Sequence, residues 1–124
     1  MKELHVITQF SKSPYARYSS EILPGQEDTS GQHFREKFLA PQLIEAIKNQ
    51  DKLKVVLTGY NRYARSFIDE AFGGLIRETR LTYNDIVKHL EIIHDNLPSI
   101  VELAWSRIEK AKNDMEKNYL YFTL

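Results

Sequence analysis

Ser66, Asp69 and Glu70 carry the reactive side chains of the most unusual stretch of the chain, residues 59–74. A serine hydroxyl at a helix start meets free backbone amides and the positive end of the helix dipole, which suits capping or a phosphate. The three-residue spacing to Asp69 is that of a capping box with Ser66 as N-cap. Asp69 and Glu70 are adjacent, so a helix directs them about 100° apart. That arrangement suits partners of the dipole better than a paired general acid and base. Arg62 and Arg65 alternate with Tyr60 and Tyr63, and Tyr15, Arg17 and Tyr18 repeat the mixture in an earlier loop. Arginine among aromatic rings can hold phosphate or stack on bases, so Tyr15, Arg17, Tyr18, Tyr60 and Tyr63 form a candidate ligand-binding loop. Gly73 and Gly74 interrupt an otherwise periodic helical stretch, where each costs about 1 kcal/mol relative to alanine. Close backbone packing or a flat surface for a partner protein would account for them. Ser66, Arg62, Arg65, Asp69, Glu70, Gly73 and Gly74 together make a candidate phosphoacceptor or partner surface.

Other chemistries lack their residues. The chain has no cysteine, which removes thiol nucleophiles and cysteine-bound zinc. Its four histidines, His5, His33, His89 and His94, show no ligand spacing, so no metal is expected. A nucleophile elbow around Ser66 and a phosphate-binding glycine loop are both missing. The expectation is a non-enzymatic domain without a cofactor. Lys and Arg number 17, as do Asp and Glu, so no global field draws the chain to nucleic acid or an anionic membrane. The first residues lack the apolar run of a signal peptide, and no apolar stretch spans a bilayer. With 124 residues, the expectation is one cytoplasmic domain.

These groups need elements to position them. Residues 53–57 read as a central strand with a nearly continuous apolar run, and residues 4–10 as another strand with a period of two. Residues 18–22 suggest a short strand within the Pro- and Gly-containing connection 11–32. Thr29 and Gln32 have the spacing of a capping box, opening a helix that carries Phe34, Phe38 and Leu39 and breaks or kinks at Pro41. A second helix from Ser66 buries Phe67, Ile68, Ala71, Phe72, Leu75 and Ile76 at helical spacing. Thr82 opens a short helix, residues 90–94 form a strand, and Pro98 begins a long helix with inner face Ile100, Val101, Ala104, Trp105, Ile108, Ala111 and Met115. Residues 119–124 fray, extend that helix or add an edge strand. Alternating strands and helices give an α/β domain with a small, largely parallel or mixed sheet. So few strands crowd the helices onto one face and leave the other partly open to a partner.

Phe10 to Pro14 with Arg17-Tyr18, Ser30-Gly31 with the run from Phe34 to Pro41, and above all the run from Ser66 to Leu75 resemble the STAS-like domains of unknown function, over residues 10–98. That family is named after the STAS domain of anti-sigma factor antagonists, which are small cytoplasmic regulators. The resemblance implies a mixed sheet with helices mainly on one face, and a protein partner such as a histidine-kinase-like ATPase; a homodimer is compatible with it. Antagonists are phosphorylated at the start of the helix after the central strand, the place Ser66 holds. There they carry an Asp-Ser-Ser-Gly-type motif, whereas Ser66 is flanked by Arg65 and Phe67. The rival reading is a small-ligand, nucleotide or nucleic-acid binding module built on the Tyr/Arg loops.

Overall fold

Strands β1 (Lys2–His5), β2 (Leu53–Val56) and β3 (Leu90–Ile93) lie side by side in chain order, and both pairings are parallel. The structure, a computed structural model, describes the backbone of residues 1–123 and side chains as far as residue 118. Strand side chains alternate between faces. Leu4, Leu53, Val55, Leu90 and Ile92 are buried on one face. Glu3, Lys54 and Glu91 stand in register on the other, beside a row of His5, Val56 and Ile93, all at least partly exposed. Helices therefore cover one face of the sheet, as expected, and the sheet is parallel throughout, not mixed. The expected apolar run of β2 is buried on its odd-numbered side only.

Helix α1 (Val6–Gln9) follows β1 directly. Helix α2 spans 31–48 and α3 spans 65–77. Each is α-helical at both ends and widens in the middle into a π-turn, Arg35–Leu39 in α2 and Asp69–Gly73 in α3. Ala40 donates its amide to the Arg35 carbonyl, and Gly74 to the Asp69 carbonyl, five residues back in both cases. The π-turn in α2 explains why Pro41 does not break the helix. Proline lacks the donor of its own turn and clashes with the turn before it, and the widened turn gives that ring room. Helix α4 (Tyr83–His89) starts at Thr82, whose hydroxyl accepts from the Asp85 amide at 3.1 Å, as expected. Helix α5 (Pro98–Thr123) packs along α3. Ala104, Ile108 and Ala111 are buried, Ile100, Val101 and Trp105 sit at the core margin, and Met115 is exposed. The backbone of 119–123 extends α5, while the side chains of 119–124 and Leu124 lie outside the described residues.

Three sequence expectations fail locally. The strand 4–10 ends at His5, because the Gln9 side chain accepts the His5 amide at 2.6 Å and the chain coils into α1. Phe10 then packs against Phe34 and Phe38, with ring centroids 5.1 and 5.3 Å away. Residues 18–22 form no strand. They contain a 3-10 turn (Ser19–Glu21) in which the Glu21 carboxylate takes the Tyr18 amide at 2.8 Å. Ser30, not Thr29, caps α2 and accepts from the His33 amide at 3.0 Å. Gln32 serves the 3-10 turn instead, accepting from Ser19 at 3.0 Å. At Gly31 a Cβ would stand 2.6 Å from the Phe67 carbonyl, so this glycine lets α2 and α3 cross in near contact. Phe67, Phe72 and Leu75 are fully buried, as expected.

Candidate functional site

The loop after β2 runs from Leu57 to Ala64 and is pinned from beneath. Gly59 has φ +105°, a conformation that favours glycine, and turns the chain. His94, almost fully buried, donates from Nε2 to the Tyr60 carbonyl at 2.8 Å. Its Nδ1 accepts from the Asn96 and Leu97 amides at 3.2 and 3.1 Å, a pattern that assigns the neutral Nε2-protonated ring. Thr58 accepts from the Asp95 amide at 2.9 Å. Tyr63 turns inward and donates to the Leu57 carbonyl at 2.8 Å, and burial pushes its phenol well above the ordinary range. Tyr63 is therefore largely a core residue, 6% exposed. Arg62 and Arg65 project outward and are exposed.

Ser66 does not cap α3. The N-cap is Ala64, with extended backbone (φ −69°, ψ 141°), so the helix begins at Arg65 and Ser66 is its second residue. The capping box with Asp69 does not form, because with Ala64 as N-cap the third helical position is Phe67; the Asp69 carboxylate bonds to arginines instead. Ser66 is half-buried, and its hydroxyl makes no hydrogen bond among the described residues.

Asp69 and Glu70 lie in the π-turn of α3 and share three arginines from three parts of the chain. Arg17 Nη1 meets Asp69 at 2.7 Å and Glu70 at 3.5 Å. Arg77 Nη2 donates to the Asp69 carboxylate at 3.1 Å and to its carbonyl at 3.0 Å. Arg35, only 4% exposed, donates to Glu70 Oε2 at 2.6 Å and to the Glu70 carbonyl. Burial pushes the Asp69 carboxyl up, but hydrogen bonds and charge from Arg17 and Arg77 outweigh it and hold the group below the usual carboxylate range. The hydrogen bond to Asp69 likewise raises Arg17. Ionised Asp69, saturated with donors, is a poor general acid near neutral pH.

Glycine at 73 and 74 now has a cause. A Cβ on Gly74 would collide with the Arg35 guanidinium, lying 2.9 Å from Cζ. One on Gly73 would come within 2.8 Å of Arg77 Nη1 and 3.2 Å of the Arg107 carbonyl. The close-packing alternative holds. Glu70, Gly73 and Gly74 are buried and do not belong to an outward partner surface. Arg17 is spent on Asp69 and so leaves the ligand loop. Arg35 and Arg77 went unnoticed in the sequence. The available signals were a charged residue between Phe34 and Phe38, and two glycines in a helix with no turn nearby.

Of the candidate loop residues, Tyr15 and Tyr60 come to one place on the surface. They line a surface cleft of about 470 Å³ together with Glu21, Leu23 and Glu27. Tyr18 stands apart, exposed, with the Arg17 guanidinium 5.9 Å from its ring centre. Arg65 borders a separate groove of about 380 Å³ with Tyr63, Ser99, Glu102 and Ser106 of α5.

Among the described residues, no group of three His, Asp or Glu side chains is placed to hold a metal ion, and no helix is long and apolar enough to cross a membrane. No curated protein and no solved structure matches the chain. A family model does match, over residues 30–99, and covers both π-turned helices, all of β2 and β3 and the pinned loop. The chain belongs to the family described as STAS-like domain of unknown function (DUF4325).

Proposed function

We propose that this chain is a non-enzymatic regulatory domain that binds a protein partner through loop 59–64 and the first turn of α3. The observation that carries the reading is the pair Arg62 and Arg65, both exposed on a loop held from beneath by Tyr63 and His94. Every carboxylate of the adjoining π-turn is paired internally, and neither arginine has a salt-bridge partner among the described residues. A preorganised cationic patch suits an acidic surface on a partner, because little ordering is needed on binding. The free hydroxyl of Ser66 beside it is a candidate phosphoacceptor, whose modification would reverse the local charge. By resemblance to anti-sigma factor antagonists, the proposed partner is a histidine-kinase-like ATPase. Nucleotide or nucleic-acid binding has less support, since Arg17 is committed to Asp69 and Tyr63 is buried.

Photo-crosslinking tests the reading. A benzophenone amino acid is placed at 62, at 65 and, as a control, at exposed position 37 in the host cell. Adducts to one protein from 62 and 65 but not 37, with weaker binding of that purified protein by Arg62→Glu/Arg65→Glu, are expected. Equal adducts from all three positions, or none specific to the patch, would overturn it. Mass spectrometry of the same material reports any phosphate on Ser66.

A further inference from the structure

The cleft between Tyr15 and Tyr60 has the opposite character to the arginine patch beside it. Tyr15 is 63% exposed and Leu23 70% exposed, so both present apolar surface to the cleft. The carboxylates of Glu21 and Glu27 flank them, and no Lys or Arg lines the cleft. Neither glutamate has a salt-bridge partner among the described residues. Glu21 accepts one hydrogen bond, from the Tyr18 amide, which leaves its second oxygen available. Glu27 also borders the neighbouring groove, whose wall includes Lys12.

The cleft floor is fixed. Tyr60 packs edge-on against Tyr63 at 5.1 Å, and its carbonyl is held by His94. Across the cleft, Tyr15 donates its amide to the Thr29 carbonyl at 3.2 Å, and the Ala16 and Arg17 carbonyls accept the first amides of α2 at 2.8 and 3.0 Å. Arg17 then ties the segment to Asp69. The two aromatic rings are thus presented from segments anchored independently to the core, with Glu21 and Glu27 lining the cleft beside them. Aromatic faces attract cations, and carboxylates add charge and hydrogen-bond acceptors.

We propose that this cleft receives the side chain of an arginine or lysine carried by the protein partner, its stem lying along Leu23 and Tyr15 and its charged end between Glu21 and Glu27. The inference rests on the protein-interaction reading and adds to it. A partner would meet a positive patch at Arg62 and Arg65 and a negative, aromatic cleft one loop away, so only one orientation satisfies both signs.

The test is an amide-resolved NMR titration of the intact chain. The probes are an acetylated, amidated Gly-Gly-Arg-Gly-Gly peptide, agmatine as the free guanidinium, and the same peptide with Glu in place of Arg. Saturable shifts at Tyr15, Leu23, Glu27 and Tyr60 with the Arg peptide, and none there with the Glu peptide, are expected. Tyr15→Ala and Glu27→Gln alter exposed side chains and should leave the remaining spectrum in place, while weakening the Arg peptide by about two- to fivefold each. Binding of agmatine as tight as the peptide, with no added shifts from the peptide backbone, would assign a small-molecule cation site and overturn the partner claim. Absence of saturable shifts in the cleft, or wild-type affinity for the Arg peptide in both variants, would overturn it altogether. Failure here with specific crosslinks from 62 and 65 removes only the cleft; peptide binding without those crosslinks removes only the arginine patch.

Discussion

Replacing Gly74 with alanine sets two effects of opposite sign against each other. In an ordinary helix interior the change is favourable by about 1 kcal/mol, because alanine loses less backbone entropy than glycine. Here the new Cβ falls on the Arg35 guanidinium, with Cζ 2.9 Å and Cδ 3.0 Å away. Arg35 has nowhere to withdraw, since it is 4% exposed and bonded to both the carboxylate and the carbonyl of Glu70. Moving it leaves Glu70 buried, with only the longer contacts to Arg17 and Arg77 at 3.5 and 3.9 Å. Breaking a buried pair in this way costs about 3–5 kcal/mol. The net expectation is a loss of about 2–4 kcal/mol after the helix gain is subtracted. With a urea slope of about 2 kcal/mol per molar, the midpoint should fall by about 1–2 M. Trp105 fluorescence and far-ultraviolet circular dichroism follow the transition. A midpoint equal to or above that of the wild type would refute the reasoning. The double variant Arg35→Met/Gly74→Ala gives an independent check. With the guanidinium gone, alanine at 74 should be neutral or favourable by about 1 kcal/mol relative to Arg35→Met alone.

Other substitutions separate the local claims. Ser66→Ala should change stability by less than about 0.5 kcal/mol, as expected of a residue that caps nothing, whereas Ser30→Ala should lose about 1 kcal/mol in the same urea assay. Phe72→Ala should lose about 3–5 kcal/mol, the range for truncating a buried phenylalanine. Tyr63→Phe strands the Leu57 carbonyl and should lose about 1–2 kcal/mol by thermal or urea unfolding. Because the folded Asp69 carboxyl is held below its ordinary value, its contribution is fully present above about pH 4 and disappears as pH falls through the lower folded value. The stability difference between wild type and Asp69→Asn should therefore shrink on acidification; a difference that stays constant down to pH 2.5 would contradict that.

The parts of the fold that obey a single short-range rule were readable in advance. Residues 53–57 and 90–94 show strand-like apolar patterning, Thr82 stands three residues before Asp85, and the stripe from Phe67 to Ile76 has helical spacing. Residues 4–10 keep a period of two through Phe10, yet one side-chain hydrogen bond from Gln9 closes the strand at His5. Local spacing could not choose between Thr29 and Ser30 as cap, because Asp28 and Ser19 decide it by binding the Ser30 amide and hydroxyl. The arginine cluster was the least legible feature. Arg17, Arg35 and Arg77 converge from positions separated by up to 60 residues, and no periodicity encodes that meeting. Its traces were the charge between Phe34 and Phe38 and the pair Gly73-Gly74, where the room needed at Gly74 is taken by Arg35 of α2. The exposure of Arg62 and Arg65 follows from their place on a polar loop, whereas the burial of Glu70 and the commitment of Arg17 to Asp69 depend on partners far away in the chain, and the inward turn of Tyr63 depends on the shape of its own loop.

The paired π-turns have a consequence for changes in chain length. A π-turn accommodates one residue more than an α-turn while the helix on either side keeps its facing. Elsewhere in α2 or α3, losing one residue would rotate everything beyond it by about 100° and turn the apolar stripe away from the sheet. Within 35–39 or 69–73, a one-residue deletion can be absorbed by tightening the turn to α geometry. The two windows touch, and Arg35–Glu70 joins them. A shortened descendant of this chain would therefore keep its core and lose its buried ion cluster first.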